Sequence, residues 1–189
     1  LLPFFMLLIE LTLFRFETAR PATRRWLIAV FAVSTAVPVM LFIAYLIQHP
    51  DWVLSGYLNR DFSLPERLMT EARIVWFYLR LIVLPSVALM GMYHDDIAIS
   101  HQLSDPVTTL PAILGILALL ACAWLLRRRM PLAALGLLFF IVGHSIESSF
   151  IGLELAHEHR NYLPMYGILL AFFHFLFAPL PADSTKLPR

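Results

Sequence analysis

The chain has 189 residues, of which 60% are hydrophobic and 14% are charged, and its mean hydropathy is +0.77. A soluble domain carries nearer a quarter charged residues, so this composition indicates a membrane protein and disfavours a soluble enzyme. The formal net charge is +1, and the sequence has no patch typical of nucleic-acid binding, so nucleic acid is not an expected partner. The single cysteine, Cys122, excludes an internal disulfide.

Five apolar stretches are candidates for membrane-spanning helices, because one crossing needs about 20 residues of helix. They cover, approximately, residues 1–14, 26–48, 107–126, 131–146 and 163–180. No charged region precedes the first stretch, which favours a start partway through a helix of a larger protein. We therefore expect an all-α membrane protein with a polytopic helical bundle, in which residues 1–180 form a membrane domain fragment and residues 181–189 form a polar tail.

Residues 65–84 predict an amphipathic helix, because charged and apolar side chains share this segment. Ser63 can cap it, and Pro85 ends or kinks it. The arginines at 24–25 and 127–129 mark the cytoplasmic side of the membrane. If both groups are cytoplasmic, this helix cannot make a single crossing. We therefore expect it to be interfacial or re-entrant.

This topology brings three polar segments together on the face opposite the basic ones. They are residues 49–63, 91–105 and 147–162. In a bacterium that face is periplasmic, and in a eukaryote it faces the ER lumen. We therefore expect an integral, multi-pass protein of the bacterial inner membrane with its site on the periplasmic face.

The densest group of ionisable residues lies at the end of the fourth span and in the segment that follows it. Its members are His144, Glu147, Glu154, His157, Glu158, His159, Arg160 and Tyr162. His144 and Glu147 are three positions apart, so a continuous helix would place them on one face. A guanidinium binds phosphate in a bidentate way, so Arg160 beside two histidines predicts an anion site. The alternative is a set of solvated loop residues.

Two further groups are candidates for binding. His94, Asp95 and Asp96 combine a histidine with adjacent carboxylates, which suits a divalent metal ion or a general base. The alternative for them is a polar turn. Arg73 and Arg80 are seven positions apart on the amphipathic helix, so they share a face that could bind a lipid phosphate. The alternative is that both side chains extend to the headgroup region.

Three stretches together resemble a known family of membrane enzymes. They are residues 64–85 with the run Trp-Phe-Tyr-Leu-Arg-Leu, residues 93–97 with Tyr-His-Asp-Asp-Ile, and residues 158–164 with Glu-His-Arg-Asn-Tyr-Leu-Pro. Their order resembles the membrane domain of the TPR-containing O-mannosyltransferase-like proteins, which are polytopic glycosyltransferases of the GT-C fold. The family motif often has its arginine one place earlier than Arg160.

The resemblance implies transfer of a sugar from a polyprenyl or dolichyl phosphate to an acceptor protein or glycan on the extracytoplasmic face. The implied catalytic residues are Glu158, His159, Arg160 and Tyr162. The implied substrate-binding residues are Arg73, Tyr78, Arg80, His144, Glu147 and His157. The usual catalytic carboxylate of these enzymes lies upstream of the residues in this chain.

Two other classes of protein remain open on the sequence alone. One is an O-antigen ligase or polymerase, which also has arginine and histidine on the outer face. The other is a transporter or a lipid-headgroup-binding protein without enzyme activity. Membrane lipids are expected partners in every case, and a divalent metal ion is the one cofactor that the sequence suggests.

Overall fold

The computed structural model describes residues 1–87, 91, 94 and 97–177. Within those ranges the chain forms seven α-helices, and its only β pairing is an isolated bridge between Gln102 and Asp105. The helices are α1 (Leu2–Ile9), α2 (Pro21–Gln48), α3 (Pro50–Ser55), α4 (Leu64–Val83), α5 (Thr109–Leu126), α6 (Pro131–His144) and α7 (Tyr162–Phe177). A π-helical turn, Glu10–Phe14, extends α1, and a 3-10 turn, Glu158–Asn161, precedes α7.

The all-helical prediction is confirmed for the described residues, and each predicted apolar stretch corresponds to a helix. Two helices, α2 and α5, are long and apolar enough to cross a membrane, whereas Leu2–Phe14 and α6 are shorter apolar helices. The five predicted crossings are thus found as helices, but only two meet this criterion. Residues 178–180 of the last predicted span and the predicted tail, 181–189, lie outside the described residues.

Two helix ends differ from the prediction: the start of α2, which is at a proline, and the end of α6, which is followed by turns. Helix α2 begins at Pro21, because proline has no N–H to leave unpaired in a first turn. The arginines at 24–25 therefore belong to the helix and do not precede it. Helix α6 ends at His144, two residues before the predicted end, and turns follow through residue 150.

Helix α4 is the predicted amphipathic helix, and it starts with a capping box. The carboxylate of Glu66 accepts a hydrogen bond from the backbone N–H of Ser63 at 2.7 Å. Further along, Ile74, Tyr78 and Leu81 form a buried cluster with residues of α6 and α7. Helix α4 therefore packs against the bundle, although its charged residues keep it outside the set of candidate spans.

Helices α6 and α7 approach each other closely through glycine. A Cβ atom on Gly136 would lie 2.9 Å from the backbone nitrogen of Ala171, and one on Gly167 would lie 2.8 Å from that of Phe140. Small residues at such positions allow two helix backbones to pack in contact, as they do in membrane helix pairs.

The two basic segments lie together at one end of the bundle. Arg15 donates a hydrogen bond to the backbone carbonyl of Arg128 at 3.2 Å, and Arg24 lines the same surface cavity. At the opposite end, the hydroxyl of Tyr57 donates to the carbonyl of Phe150 at 2.7 Å. Helices α5 and α6 connect these two ends, so the polar segments are separated from the basic ones by the length of the bundle.

Candidate functional site

A buried arginine on α4 organises the loop that carries most of the predicted site. The side chain of Arg67 has 0% exposure and donates to the carbonyls of Glu147 and Ser149, both at 2.9 Å, and to that of Leu153. Its Nη2 also lies 2.7 Å from a carboxylate oxygen of Glu71, one helical turn away. Since carbonyls buried without donors are costly, Arg67 fixes the loop backbone at the polar end of the bundle.

Tyr78 holds the next part of the loop. Its hydroxyl donates to the carbonyl of His157 at 3.0 Å and accepts from the N–H of His157 at 2.7 Å. The ring of His144 stacks on the ring of Tyr78, with centroids 4.9 Å apart. The side chain of Asn161 donates to the carbonyl of Tyr78 at 3.1 Å. Burial raises the pKa of the Tyr78 phenol, so it remains a hydrogen-bond donor at neutral pH.

The predicted ionisable cluster does come together, but its arginine is already bound to protein. The Nε of Arg160 lies 3.4 Å from the carboxylate of Glu147, and its Nη1 donates to the carbonyl of Glu154 at 2.6 Å. The Arg160 side chain is only 7% exposed. The two histidines before it approach each other, with 3.1 Å between the Nδ1 atoms of His157 and His159. This geometry favours a positioning role for Arg160.

His144 and Glu147 do not share a helix face, because α6 ends at His144 and turns follow it. His144 is buried against Tyr78 and Phe140, whereas Glu147 pairs with Arg160. The spacing of three positions has the expected meaning only where the helix continues through both residues.

Glu158 connects the 3-10 turn to the segment after α4. Its carboxylate accepts from the backbone N–H of Gly91 at 2.6 Å and lies 3.5 Å from Nε2 of His94. Asp95 and Asp96, the other two predicted metal ligands, lie outside the described residues. Among the residues that the structure describes, no three His, Cys, Asp or Glu side chains are close enough to share a metal ion.

The remaining predicted residues lie apart from this cluster. The guanidinium of Arg73 donates to the carbonyl of Ala98 at 2.6 Å and to the hydroxyl of Thr108 at 2.9 Å. It therefore joins α4 to the segment before α5. Arg80 is exposed, and Tyr162 is 68% exposed at the start of α7. Neither of them contacts the Arg160 group in a hydrogen bond among the described residues.

A polar cleft opens beside the cluster, and it was not predicted from the sequence. It has a volume of about 340 Å³ and lies between the loop before α4, the residues near His94, and residues 154–156. Its polar lining consists of Asn59, Arg60, Asp61, His94 and Glu154. The signal that could have located it was the run Asn-Arg-Asp at 59–61 in the first polar segment.

No family model, curated protein or solved structure matches this chain.

The cleft combines groups that suit a ligand with an anionic part and a hydroxylated part. Arg60 is exposed at the cleft and can bind an anion, and the side chain of His94 also lines the cleft. The carboxylates of Asp61 and Glu154 can accept hydrogen bonds from hydroxyl groups. A phosphate linked to a sugar carries both kinds of group, an anion and several hydroxyls.

Proposed function

We propose that this chain is a multi-pass membrane bundle with its polar cleft on the extracytoplasmic face. The strongest support is α2, a helix of 28 residues in which no residue is buried although the helix is apolar. The core helix of a soluble protein would be mostly buried, so this apolar surface needs lipid or other protein around it. The placement of the basic segments at the far end agrees with a cytoplasmic side there.

We further propose that the chain is part of a glycosyltransferase that takes a sugar from a polyprenyl or dolichyl phosphate. The observation that carries this proposal is the cleft, in which Arg60 and His94 stand beside the carboxylates of Asp61 and Glu154. The family resemblance of the sequence supports the same reaction. The acceptor is a protein or glycan hydroxyl, and membrane lipids surround the bundle.

In this proposal the residues of the cleft have distinct roles. Arg60 binds the donor phosphate and stabilises the negative charge that grows on it as the sugar leaves. Asp61 and Glu154 orient the hydroxyl groups of the sugar or of the acceptor. Arg160 has a positioning role, because it holds Glu147 and the carbonyl of Glu154 behind the cleft wall.

The test is transfer from a polyprenyl-phosphate sugar by membranes that contain the full-length protein. Arg60→Ala should lower the rate by about 10²–10³, because one charge-stabilising donor is lost. Arg60→Lys should restore part of it. The matched control is Arg25→Ala, which removes an exposed arginine at the opposite end and should leave the rate unchanged.

Equal rates for the parent and Arg60→Ala would remove the cleft from the mechanism. A rate that falls equally with Arg25→Ala would mean that the loss reflects general electrostatics. Binding of the lipid-linked donor without any transfer would favour a headgroup-binding protein instead of an enzyme.

A further inference from the structure

A basic cavity lies at the end of the bundle opposite the polar cleft. Its volume is about 540 Å³, and its wall combines the loop after α1, the start of α2 and the turn after α5. The lining residues are Arg15, Phe16, Glu17, Thr18, Arg24 and Arg128. Three arginines against one glutamate leave the lining with two surplus positive charges, so the cavity is suited to an anionic ligand.

The local backbone holds Arg15 in the wall of this basic cavity. After the π-helical turn Glu10–Phe14, both Arg15 and Phe16 have φ of 56°, in the left-handed region that side chains disfavour. The carboxylate of Glu10 supports this conformation, because it accepts a hydrogen bond from the N–H of Phe16 at 2.9 Å. The guanidinium of Arg15 then reaches the carbonyl of Arg128 at 3.2 Å. Backbone strain of this kind is concentrated at functional sites, which supports a role for the loop in binding.

The three arginines of the cavity lack an anionic partner. None of their guanidiniums has a carboxylate oxygen within 4.0 Å among the residues that the structure describes. By contrast, Arg67 and Arg160 are ion-paired, and the guanidinium of Arg127 lies 3.5 Å from the ring centroid of Trp124. Like charges at close range repel, and a bound anion would remove that cost. A phosphate is well suited to this role, because a guanidinium can donate to two of its oxygens.

Two tryptophans indicate the depth of the basic cavity in a membrane. Trp26 follows Arg24 by two positions in α2, and Trp124 lies near the end of α5, next to the turn that carries Arg128. Both side chains are exposed. Tryptophan is enriched where the hydrocarbon of a bilayer meets the headgroups. With α2 and α5 in a bilayer, the cavity therefore lies at the level of the lipid phosphates.

We propose that this cavity binds the headgroup of an anionic phospholipid, with the phosphate charge at Arg15, Arg24 and Arg128. The acyl chains lie along the exposed apolar surfaces of α2 and α5. Two surplus positive charges match a lipid with two phosphates, and cardiolipin has this chemistry. The inference rests on the proposed membrane placement of α2 and α5, and it does not depend on glycosyl transfer.

Binding can be measured with radiolabelled cardiolipin and the immobilised full chain in dodecyl maltoside micelles. Saturable binding of one molecule per chain is expected. Cardiolipin should bind about thirtyfold more tightly than phosphatidylcholine, since two net charges near the surface favour it, and phosphatidylglycerol should lie between them. Equal affinity for cardiolipin and phosphatidylcholine would overturn the choice of an anionic lipid.

Inorganic phosphate distinguishes a lipid from a soluble ion that carries the same group. At equal ionic strength, phosphate and chloride should weaken the binding of cardiolipin equally, because phosphate alone makes no contact with the apolar surfaces. Displacement by phosphate well beyond that by chloride would show that the cavity takes a soluble phosphate, and would overturn the choice of a lipid.

Two pairs of variants with equal changes in net charge test the position of the site. Arg24→Gln and Arg25→Gln each remove an exposed arginine near the start of α2, but only Arg24 lines the cavity. Arg24→Gln should weaken the binding of cardiolipin about fivefold, whereas Arg25→Gln should bind as the parent does. Arg128→Gln and Arg129→Gln form the second pair, with the same expectation. Equal losses within both pairs would show that the lipid responds to net charge alone and that the assignment is wrong.

Loss of folding is not expected in these variants. Arg24 donates a hydrogen bond through its backbone N–H and Arg128 accepts one through its carbonyl, so substitution of either side chain removes neither bond. The helical circular dichroism signal should be unchanged. Arg24→Lys retains the charge and should retain most of the binding. Normal binding by both Arg24→Gln and Arg128→Gln would overturn the proposal.

Alkaline extraction of the parent from membranes tests the proposed membrane placement separately, because binding in micelles does not require a bilayer. A parent that resists extraction but does not prefer cardiolipin would contradict the lipid site and leave the membrane proposal in place. A parent that is extracted completely would contradict the membrane proposal, and with it the assignment of a lipid to this cavity.

Discussion

Helices α2 and α4 reverse the usual relation between polarity and burial. Helix α2 has 28 residues, is apolar over most of its length, and buries none of them. Helix α4 carries charges in every part, yet it buries six residues, among them Arg67 and Glu71. In a soluble protein the apolar helix would be the covered one.

The two helices are suited to two different environments. The surface of α2 is suited to surroundings without water, because exposed apolar area of this extent is unfavourable in water. The inner face of α4 is suited to polar partners, because Arg67 and Tyr78 bind loop backbone there. The bundle therefore has a polar interior at one end and an apolar exterior along its side.

Loss of the buried arginine should have the largest effect on α4. Arg67→Met leaves the carbonyls of Glu147 and Ser149 without donors and Glu71 without its counter-charge. We expect the free energy of unfolding to fall by about 3–5 kcal/mol, as for other broken buried pairs. Thermal and urea unfolding in detergent would measure it.

The control for that measurement is Arg80→Met, which removes an exposed arginine from the same helix. It should change the free energy of unfolding by less than about 0.5 kcal/mol. Losses of equal size in the two variants would mean that Arg67 does not organise the loop as described.

Helix α2 gives the second prediction, which tests what surrounds it. Val33 lies near the middle of the helix and is 60% exposed. If lipid covers this position, Val33→Lys should cost about 2.5–3.5 kcal/mol of insertion free energy. The fraction of protein that resists alkaline extraction from membranes should therefore fall, whereas Val33→Leu should leave it unchanged.

An unchanged fraction with Val33→Lys would contradict the proposal for α2. Lysine at an exposed position in water is nearly neutral for stability, so that result would assign α2 to water or to a polar surface. The membrane proposal would then rest on α5 alone among the described helices that are long and apolar enough.

The sequence predicted the helices well because their signals are local. The predicted starts were residues 26 and 65, and the helices begin at Pro21 and Leu64. The amphipathic character of α4 and Ser63 as its N-cap were also predicted, whereas the reciprocal contact of Glu66 with Ser63 was found in the structure. The charges predicted that the arginines at 24–25 and 127–129 share the cytoplasmic side, which stays a prediction, and in the structure Arg15 contacts the backbone of Arg128.

The site was harder to predict because it depends on contacts far apart in sequence. Arg67 and Glu71 have the spacing of an ordinary surface pair, and only the loop near residue 150 makes them buried. Arg160 stood out as an anion site, but a local pattern does not reveal that its donors reach Glu147 and the carbonyl of Glu154. Arg60 lies in a loop whose neighbours come from two distant segments.

The smallest effect should come from the exposed start of α4, where the pH dependence of stability tests the capping box. The backbone N–H of Ser63, followed by the side chain of His101, lowers the pKa of the Glu66 carboxyl from 4.5 to about 2. Because the folded pKa is below the unfolded one, this contribution to stability is complete above pH 4.5 and is lost as pH falls toward 2. Glu66→Gln should therefore make the free energy of unfolding depend less on pH in this acid range. Unfolding followed by circular dichroism at several pH values would measure it.

Glu71 lies on the buried face of the same helix. Its contribution to the free energy of unfolding should change with pH in the opposite direction to that of Glu66. Burial raises its pKa to about 7 against the pull of Arg67, so its contribution falls as pH rises from 4.5 toward 7. Glu66→Gln should leave that upper range unchanged, since the two carboxylates titrate in different windows. An acid side that stays as steep in Glu66→Gln as in the parent would show that the cap at Ser63 does not depend on a charged carboxylate.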